Sequence, residues 1–169
     1  MKAIKYILIL LLILIIGGAV YFSLKDGTYD ITETLVIDAP TSVIYDQIED
    51  FKQWENWNPW LEDVEIETTM GTQTQGVDAN YSFIDSYGNG KMTITGLEPD
   101  KSIIMDMFYD NGMTSSNSEV IMALEQVEDG TLITWNIKGE LGLVDKAMGA
   151  VFGFNMEDEI APKYKKGLK

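Results

Sequence analysis

The residues that could carry chemistry are few, and two absences limit them first. The 169-residue chain contains neither cysteine nor histidine. Thiol nucleophiles, disulfides, thiolate or histidine metal sites and imidazole acid/base catalysis are therefore out of reach. Any catalysis would have to use carboxylates, tyrosine or lysine. Acids gather at Glu62-Asp63 with Glu65 and Glu67, and again at Glu157-Asp158-Glu159, and paired carboxylates are what general acid/base work needs. Acids that alternate on a strand or adjoin on a helix are, however, the ordinary pattern of a solvated face. Asp85-x-Tyr87-x-Asn89-Gly90 has the outline of a calcium loop, but its third position is aromatic and its twelfth is Gly96, so it reads as a hairpin turn. Asn80-Tyr81-Ser82 fits a glycosylation sequon within a strand. No motif specifies a reaction, and no catalytic residue, metal site or cofactor is expected.

The remaining chemistry is that of apolar recognition. Three of the four tryptophans, Trp54, Trp57 and Trp60, fall within seven positions. They follow a short amphipathic run in which Val43, Ile44, Gln47 and Ile48 recur at helical spacing after Pro40, a residue suited to a first helical position. The spacing predicts one helix from about Pro40 to Asp50 and a second, short one carrying Trp54 and Trp57 and ended by Pro59.

These helices need something to cap. Before them, Ile31, Leu35 and Ile37 mark a first strand that stops at Asp38-Ala39-Pro40. After them come Val64 to Met70, Asn80 to Asp85, Lys91 to Leu97, Ser102 to Tyr109, Ser118 to Gln126 and Thr131 to Lys138. Turn signals such as Asp110-Asn111-Gly112 and Glu128-Asp129-Gly130 separate them, so they read as an antiparallel meander. Alternation predicts an inner face of Tyr81, Phe83, Met92, Ile94, Met105, Met107, Val120, Met122, Leu124, Ile133, Trp135 and Ile137. Most of that stripe suits a packed core, while the methionines favour partial openness. After Gly142, Leu143, Val144, Ala147, Met148, Val151, Phe152 and Asn155 trace one helical face, expected to cover the curved sheet. Pro162 interrupts, and Tyr164 to Lys169 resembles the start of a last helix.

The N-terminus differs from all of this. Tyr6 to Leu24 is a run of 19 residues without a charge, about 28 Å of helix, close to the thickness of a bilayer's hydrocarbon. A membrane-spanning anchor over residues 1–25 followed by one domain over 26–169 is the expected organisation. The rival is a cleaved signal peptide with Gly17-x-Ala19 at its cleavage site, which would leave a secreted domain. The anchor is favoured because Val20, Tyr21 and Phe22 continue the apolar run. Lys2 and Lys5 ahead of it set the N-terminus in the cytoplasm and the domain outside. Beyond Lys25 stand 27 acids against 9 lysines, a net charge of −18, and there is no arginine in the chain. Such a surface opposes nucleic acid as a partner. The sequence carries no signal for the oligomeric state.

Ala39-Pro40 with Val43 and Tyr45, Trp54-x-x-Trp57-x-Pro59-Trp60, Met92-Thr93-Ile94 followed by Glu98-Pro99, Gly130-Thr131 with Thr134-Trp135, and Tyr164-Lys165-Lys166-Gly167-Leu168 resemble the polyketide cyclase/dehydrase-type members of the START-like (SRPBCC, Bet v 1-like) superfamily. The resemblance implies an α+β helix-grip fold, a curved antiparallel sheet wrapped round a long C-terminal helix with a cavity between them. It implies function loosely, since lipid carriers, small-molecule sensors and a few cyclases share the fold. Relatives continue the last helix beyond the Gly-Leu pair, so a shortened helix or a less closed cavity is expected here. The expected function is a membrane-tethered domain that binds an apolar small molecule or lipid without catalysis. Its expected ligand-binding residues are Trp57, Trp60, Tyr81, Phe83, Met92, Met105, Met107, Met122, Trp135, Met148 and Phe152. A cyclase-like enzyme using a cavity carboxylate or tyrosine, and a protein-docking module built on the tryptophans, are the alternatives.

Overall fold

The computed structural model describes residues 2–61, 66–153 and 155–169. Helix α1, Lys2–Leu24, is continuous, and its apolar length is sufficient to cross a membrane. Three residues later the chain enters a sheet of seven antiparallel strands: β1 (Thr28–Ile37), β2 (Glu67–Met70), β3 (Asn80–Ile84), β4 (Asn89–Glu98), β5 (Ser102–Asp110), β6 (Ser115–Val127) and β7 (Gly130–Glu140). Their order is β1-β7-β6-β5-β4-β3-β2, so six strands form the expected meander and β1 pairs with the last of them. Glu62, Asp63, Val64 and Glu65 lie outside the described residues, so the strand expected from Val64 is seen only over Glu67–Met70.

Period-2 alternation is the rule the sheet obeys. On β6 the buried positions are Ser118, Val120, Met122 and Leu124, and on β7 they are Thr131, Ile133, Trp135 and Ile137. These eight side chains stand on one face, as successive Cβ atoms of a strand must alternate. The register shifts between Ile94 and Gly96 on β4, an irregularity of the kind that bends a strand and increases its twist. Pairing also fixes two ends. The start of β1, the end of β3, the start of β4 and the ends of β5 and β7 lie at one end of the sheet, where α1 enters.

Helix α2 (Thr41–Ile48) lies toward the opposite end, followed by a 3₁₀ turn at Gln53–Asn56. Pro40 stands one position before its expected place, as the N-cap with ψ 149°, and its carbonyl accepts the N–H of Ile44. Ile44, Tyr45 and Ile48 are the buried stripe of α2, and Phe51 and Trp54 beyond it are almost wholly enclosed.

The C-terminal helix departs from its expected form. It is broken into α3 (Leu143–Phe152) and α4 (Met156–Gly167) by Gly153, whose φ of 73° ends α3 in the left-handed region that glycine tolerates best. Asn155 then caps α4, its side chain accepting the N–H of Glu157. The element that lies on the sheet is α4, against β1, through Ile160, Tyr164 and Leu168 at i, i+4 and i+8. Lys165 reaches Glu33 of β1 at 3.2 Å. Pro162 lies inside α4 and does not end it; its ring is on the exposed face, as is Asp158, whose carbonyl loses its i+4 donor and is left to water. The face expected over Leu143 to Asn155 does form as α3, but α3 runs beside α1 and buries none of its residues.

Candidate functional site

Between the inner face, the tryptophan turn and α4 lies an apolar cavity of about 260 Å³. The sheet supplies Tyr81, Phe83, Met92, Met107, Tyr109, Val120, Trp135 and Ile137; the segment after α2 supplies Trp54, Asn58, Trp60 and Leu61; α4 supplies Ile160 and Tyr164. At ~30 Å³ per water the space equals about nine waters, room for a small aromatic molecule or a short acyl chain.

Its deep end is aromatic. Trp135 and Tyr164 are stacked, their centroids 4.0 Å apart and their planes 12° from parallel, and Trp60 meets both edge-on at 6.0 and 5.6 Å. A Cβ on Gly167 would stand 2.8 Å from Pro59 and 3.0 Å from Trp135 Cζ3. Glycine therefore lets the end of α4 press onto this wall. Toward the α1 end, Phe83 stacks on Tyr109 at 6.1 Å and lies across Gly90, where any Cβ would collide with the ring. The deep residues Trp54, Tyr81, Trp135 and Tyr164 are buried, whereas Phe83, Asp85, Met107 and Tyr109 are half-buried. On the sheet, the lining is therefore open at the end that α1 enters, and Trp60, Leu61 and Ile66 at its side are half-buried too.

Polar groups in the lining are few and mostly occupied. Asp85 accepts the Tyr109 hydroxyl at 3.1 and 3.3 Å and the backbone N–H groups of Tyr87 and Gly88 at 2.8 and 2.7 Å. Its carboxylate thus staples the β3–β4 hairpin, and the calcium-like spacing is a turn. Burial, and then the Asp85 carboxylate, push the Tyr109 phenol up to about 12. Burial likewise raises Tyr81 and Tyr164. Phenols displaced in this direction stay protonated near neutrality and can donate a hydrogen bond, but they cannot act as bases there. Asn58 is buried and accepts the N–H of Trp60. One donor remains: the Nε1–H of Trp135 is buried and has no hydrogen-bond partner among the described residues.

Of the expected ligand-binding residues, Trp60, Tyr81, Phe83, Met92, Met107 and Trp135 are brought together round this cavity. The other five stand elsewhere. Trp57 stands in the groove between β1, α2 and the end of α4, its indole N–H donating to the Gln47 carbonyl at 3.1 Å. Met105 and Met122 face inward as expected but are fully enclosed and do not line the cavity. Met148 and Phe152 are exposed on α3 because that helix turns away from the sheet. Conversely, Asp85 and Tyr109 continue the stripes of Phe83 and Met107 by two residues, and Tyr164 follows Ile160 by one helical turn. These signals were present in the sequence, but the first pair lay at the strand ends and the second was masked by Pro162. Among the described residues no group of three or more acids could hold a metal ion.

A curved antiparallel sheet closed over a C-terminal helix, with an apolar cavity between them, defines a helix-grip domain. The chain belongs to the family described as polyketide cyclase/dehydrase and lipid transport, whose family model matches residues 28–168. Solved structures share the fold. A protein from Rhizobium leguminosarum is 13% identical, with a TM-score of 0.63 over 85% of this chain and 91% of that one. A protein from Chromobacterium violaceum is 12% identical, with a TM-score of 0.61 over 82% and 91%. The Aha1 protein of Colwellia psychrerythraea, solved as a dimer, is 17% identical with a TM-score of 0.54 over 80% and 90%. No curated protein matches the chain.

Proposed function

We propose that this protein is a membrane-tethered binding domain that holds a small apolar molecule in the cavity between sheet and α4, without transforming it. The observation that carries this reading is the cavity itself, whose walls are aromatic and aliphatic and whose one carboxylate among the described residues, Asp85, already accepts from a tyrosine and two backbone donors. Such a lining binds by burying apolar area, with a few polar groups fixing orientation. Trp60, Tyr81, Phe83, Met92, Met107 and Trp135 are the contacts. The unpartnered Trp135 N–H favours a ligand with a hydrogen-bond acceptor, since a buried donor left unmade costs ~1–3 kcal/mol. The raised phenols and the occupied Asp85 argue against a cavity base. A Met107→Trp change should fill the cavity, so native mass spectrometry of protein extracted from its own membrane should show a bound small molecule on the parent chain and none on the variant. An equal load on both would place the ligand elsewhere.

α1 supplies the tether, with the N-terminus in the cytoplasm and the domain outside, on the strength of Lys2 and Lys5 ahead of the span. Protease added to intact spheroplasts should then digest the domain; protection would reverse the orientation.

A further inference from the structure

Helix α3 is amphipathic in the wrong sense for a helix of a soluble domain. Its two charged side chains turn inward: Asp145 accepts the Thr114 hydroxyl at 2.9 Å, and Lys146 donates to the Lys25 carbonyl at 2.9 Å. Its apolar residues turn outward. Val144, Met148, Val151 and Phe152, at i, i+4, i+7 and i+8, form one face and are 40, 42, 70 and 72% exposed. Exposed apolar residues scattered singly need no explanation, but a contiguous stripe on one helix does.

Its neighbour says what covers the stripe. α3 runs against α1, and the half-buried residues of α1 are Gly18 and Phe22, in its last two turns. Two turns of helix rise about 11 Å, close to the ~5–10 Å by which interfacial helices sink into the headgroup and acyl boundary. Polar chain borders α3 on both sides: Lys25 and Asp26 after α1, where Lys146 binds the Lys25 carbonyl, and Glu157-Asp158-Glu159 in the first turn of α4. A docked protein could sit on any face; a helix held beside the end of an apolar span, apolar side outward, is placed for lipid.

We propose that α3 is a second membrane element, lying in the interface of the bilayer that α1 spans, with Val144, Met148, Val151 and Phe152 immersed. This rests on reading α1 as a membrane anchor. It follows that the open end of the cavity, which shares the end of the sheet with α1, is held against the bilayer.

The absence of cysteine permits a direct test on the full chain in phosphatidylcholine nanodiscs. Single variants Phe152→Cys, Met148→Cys, Leu14→Cys and Ser86→Cys each carry one environment-sensitive fluorophore, quenched either by aqueous iodide or by a spin label placed near the lipid headgroup or deep in the acyl chain. Positions 148 and 152 should be several-fold less open to iodide than position 86, and quenched most by the shallow lipid label. Position 14 should respond to the deep label. If position 14 responds and 148 and 152 are open to iodide, the α3 proposal fails while the anchor stands. If position 14 itself is open to iodide, the anchor reading fails, and this inference with it. Labels at 148 and 152 shielded from iodide and lipid alike would show a second copy covering α3, which also overturns the proposal.

Discussion

The two ends of the sheet obey one alternation and reach opposite results. Away from the α1 end, Ile94, Ile103, Met105, Met122 and Ile133 are enclosed in one core with Ile44, Tyr45, Ile48 and Phe51. At the α1 end, the same inward positions on β3 and β5 carry Phe83, Asp85, Met107 and Tyr109, and a cavity remains between them. Strand pattern decides which side chains point inward. Whether they meet a partner depends on what covers them: Met105 is fully enclosed, whereas Met107, two residues along the same face, borders the cavity.

The largest test of this contrast is a pair of truncations. Met105→Ala should cost ~2–5 kcal/mol, because a fully enclosed site cannot collapse round the deletion. Met107→Ala, two residues along on the same strand face, should cost about 1 kcal/mol, since it enlarges a space that already exists. Urea midpoints measure both, and equal losses would mean that the α1 end is packed in solution.

Alkali sharpens the comparison at smaller scale. The Tyr109, Tyr81 and Tyr164 phenols are all raised in the folded state. Their contribution is therefore fully present below the ordinary phenol value of 10 and is lost as pH rises through the folded value, about 12 for Tyr109. Urea midpoints should fall across that window, with phenolate absorbance rising in step. Tyr109→Phe at the open end should blunt the early part of the fall, and a midpoint flat to pH 12 would show that these phenols are solvated.

The smallest effect belongs to the far end. Burial, and then Asp46, Asp50 and Asp100, raise the Glu49 carboxyl above its ordinary 4.5. The folded state then takes up the proton first, so this group's contribution to stability rises as pH falls from neutrality and is complete below 4.5. Glu49→Gln should give a small rise in Tm at pH 7 and weaken that acid dependence; a lower Tm would show that the charge is solvated or paired.

Much of this architecture was legible in the residues. The meander, the inner stripe and the capping turns all follow from period-2 alternation and from Asp-Asn-Gly and Asp-Gly signals, which act within a few residues of where they are written. What could not be read was which surface each helical face meets. Leu143 to Phe152 has the spacing of a core helix, yet periodicity gives a face and no partner, and Gly153 redirects the chain before the sheet is reached. Trp54 on the 3₁₀ turn and Trp57 at its C-cap sit three apart, their rings 4.9 Å apart, yet the first lines the cavity and the second faces the outer groove. The cavity residues were half legible for the same reason: strand positions could be assigned, while the contribution of α4 depended on Pro162 lying on an outer face.

The three residues between α1 and β1 set a scale for the whole molecule. Lys25 to Gly27 can extend by about 10 Å at most, and the Lys25 carbonyl is further held by Lys146. The longest strand, β6, has 13 residues, ~44 Å at 3.4 Å per residue. With α1 in a bilayer, no part of the domain travels much farther than that from its own membrane, so the protein patrols a plane and crosses no gap wider than itself. On the function proposed above, a ligand would have to come to it, from the surface beneath or from a soluble carrier that docks, and the binding site would work as a station at a fixed height.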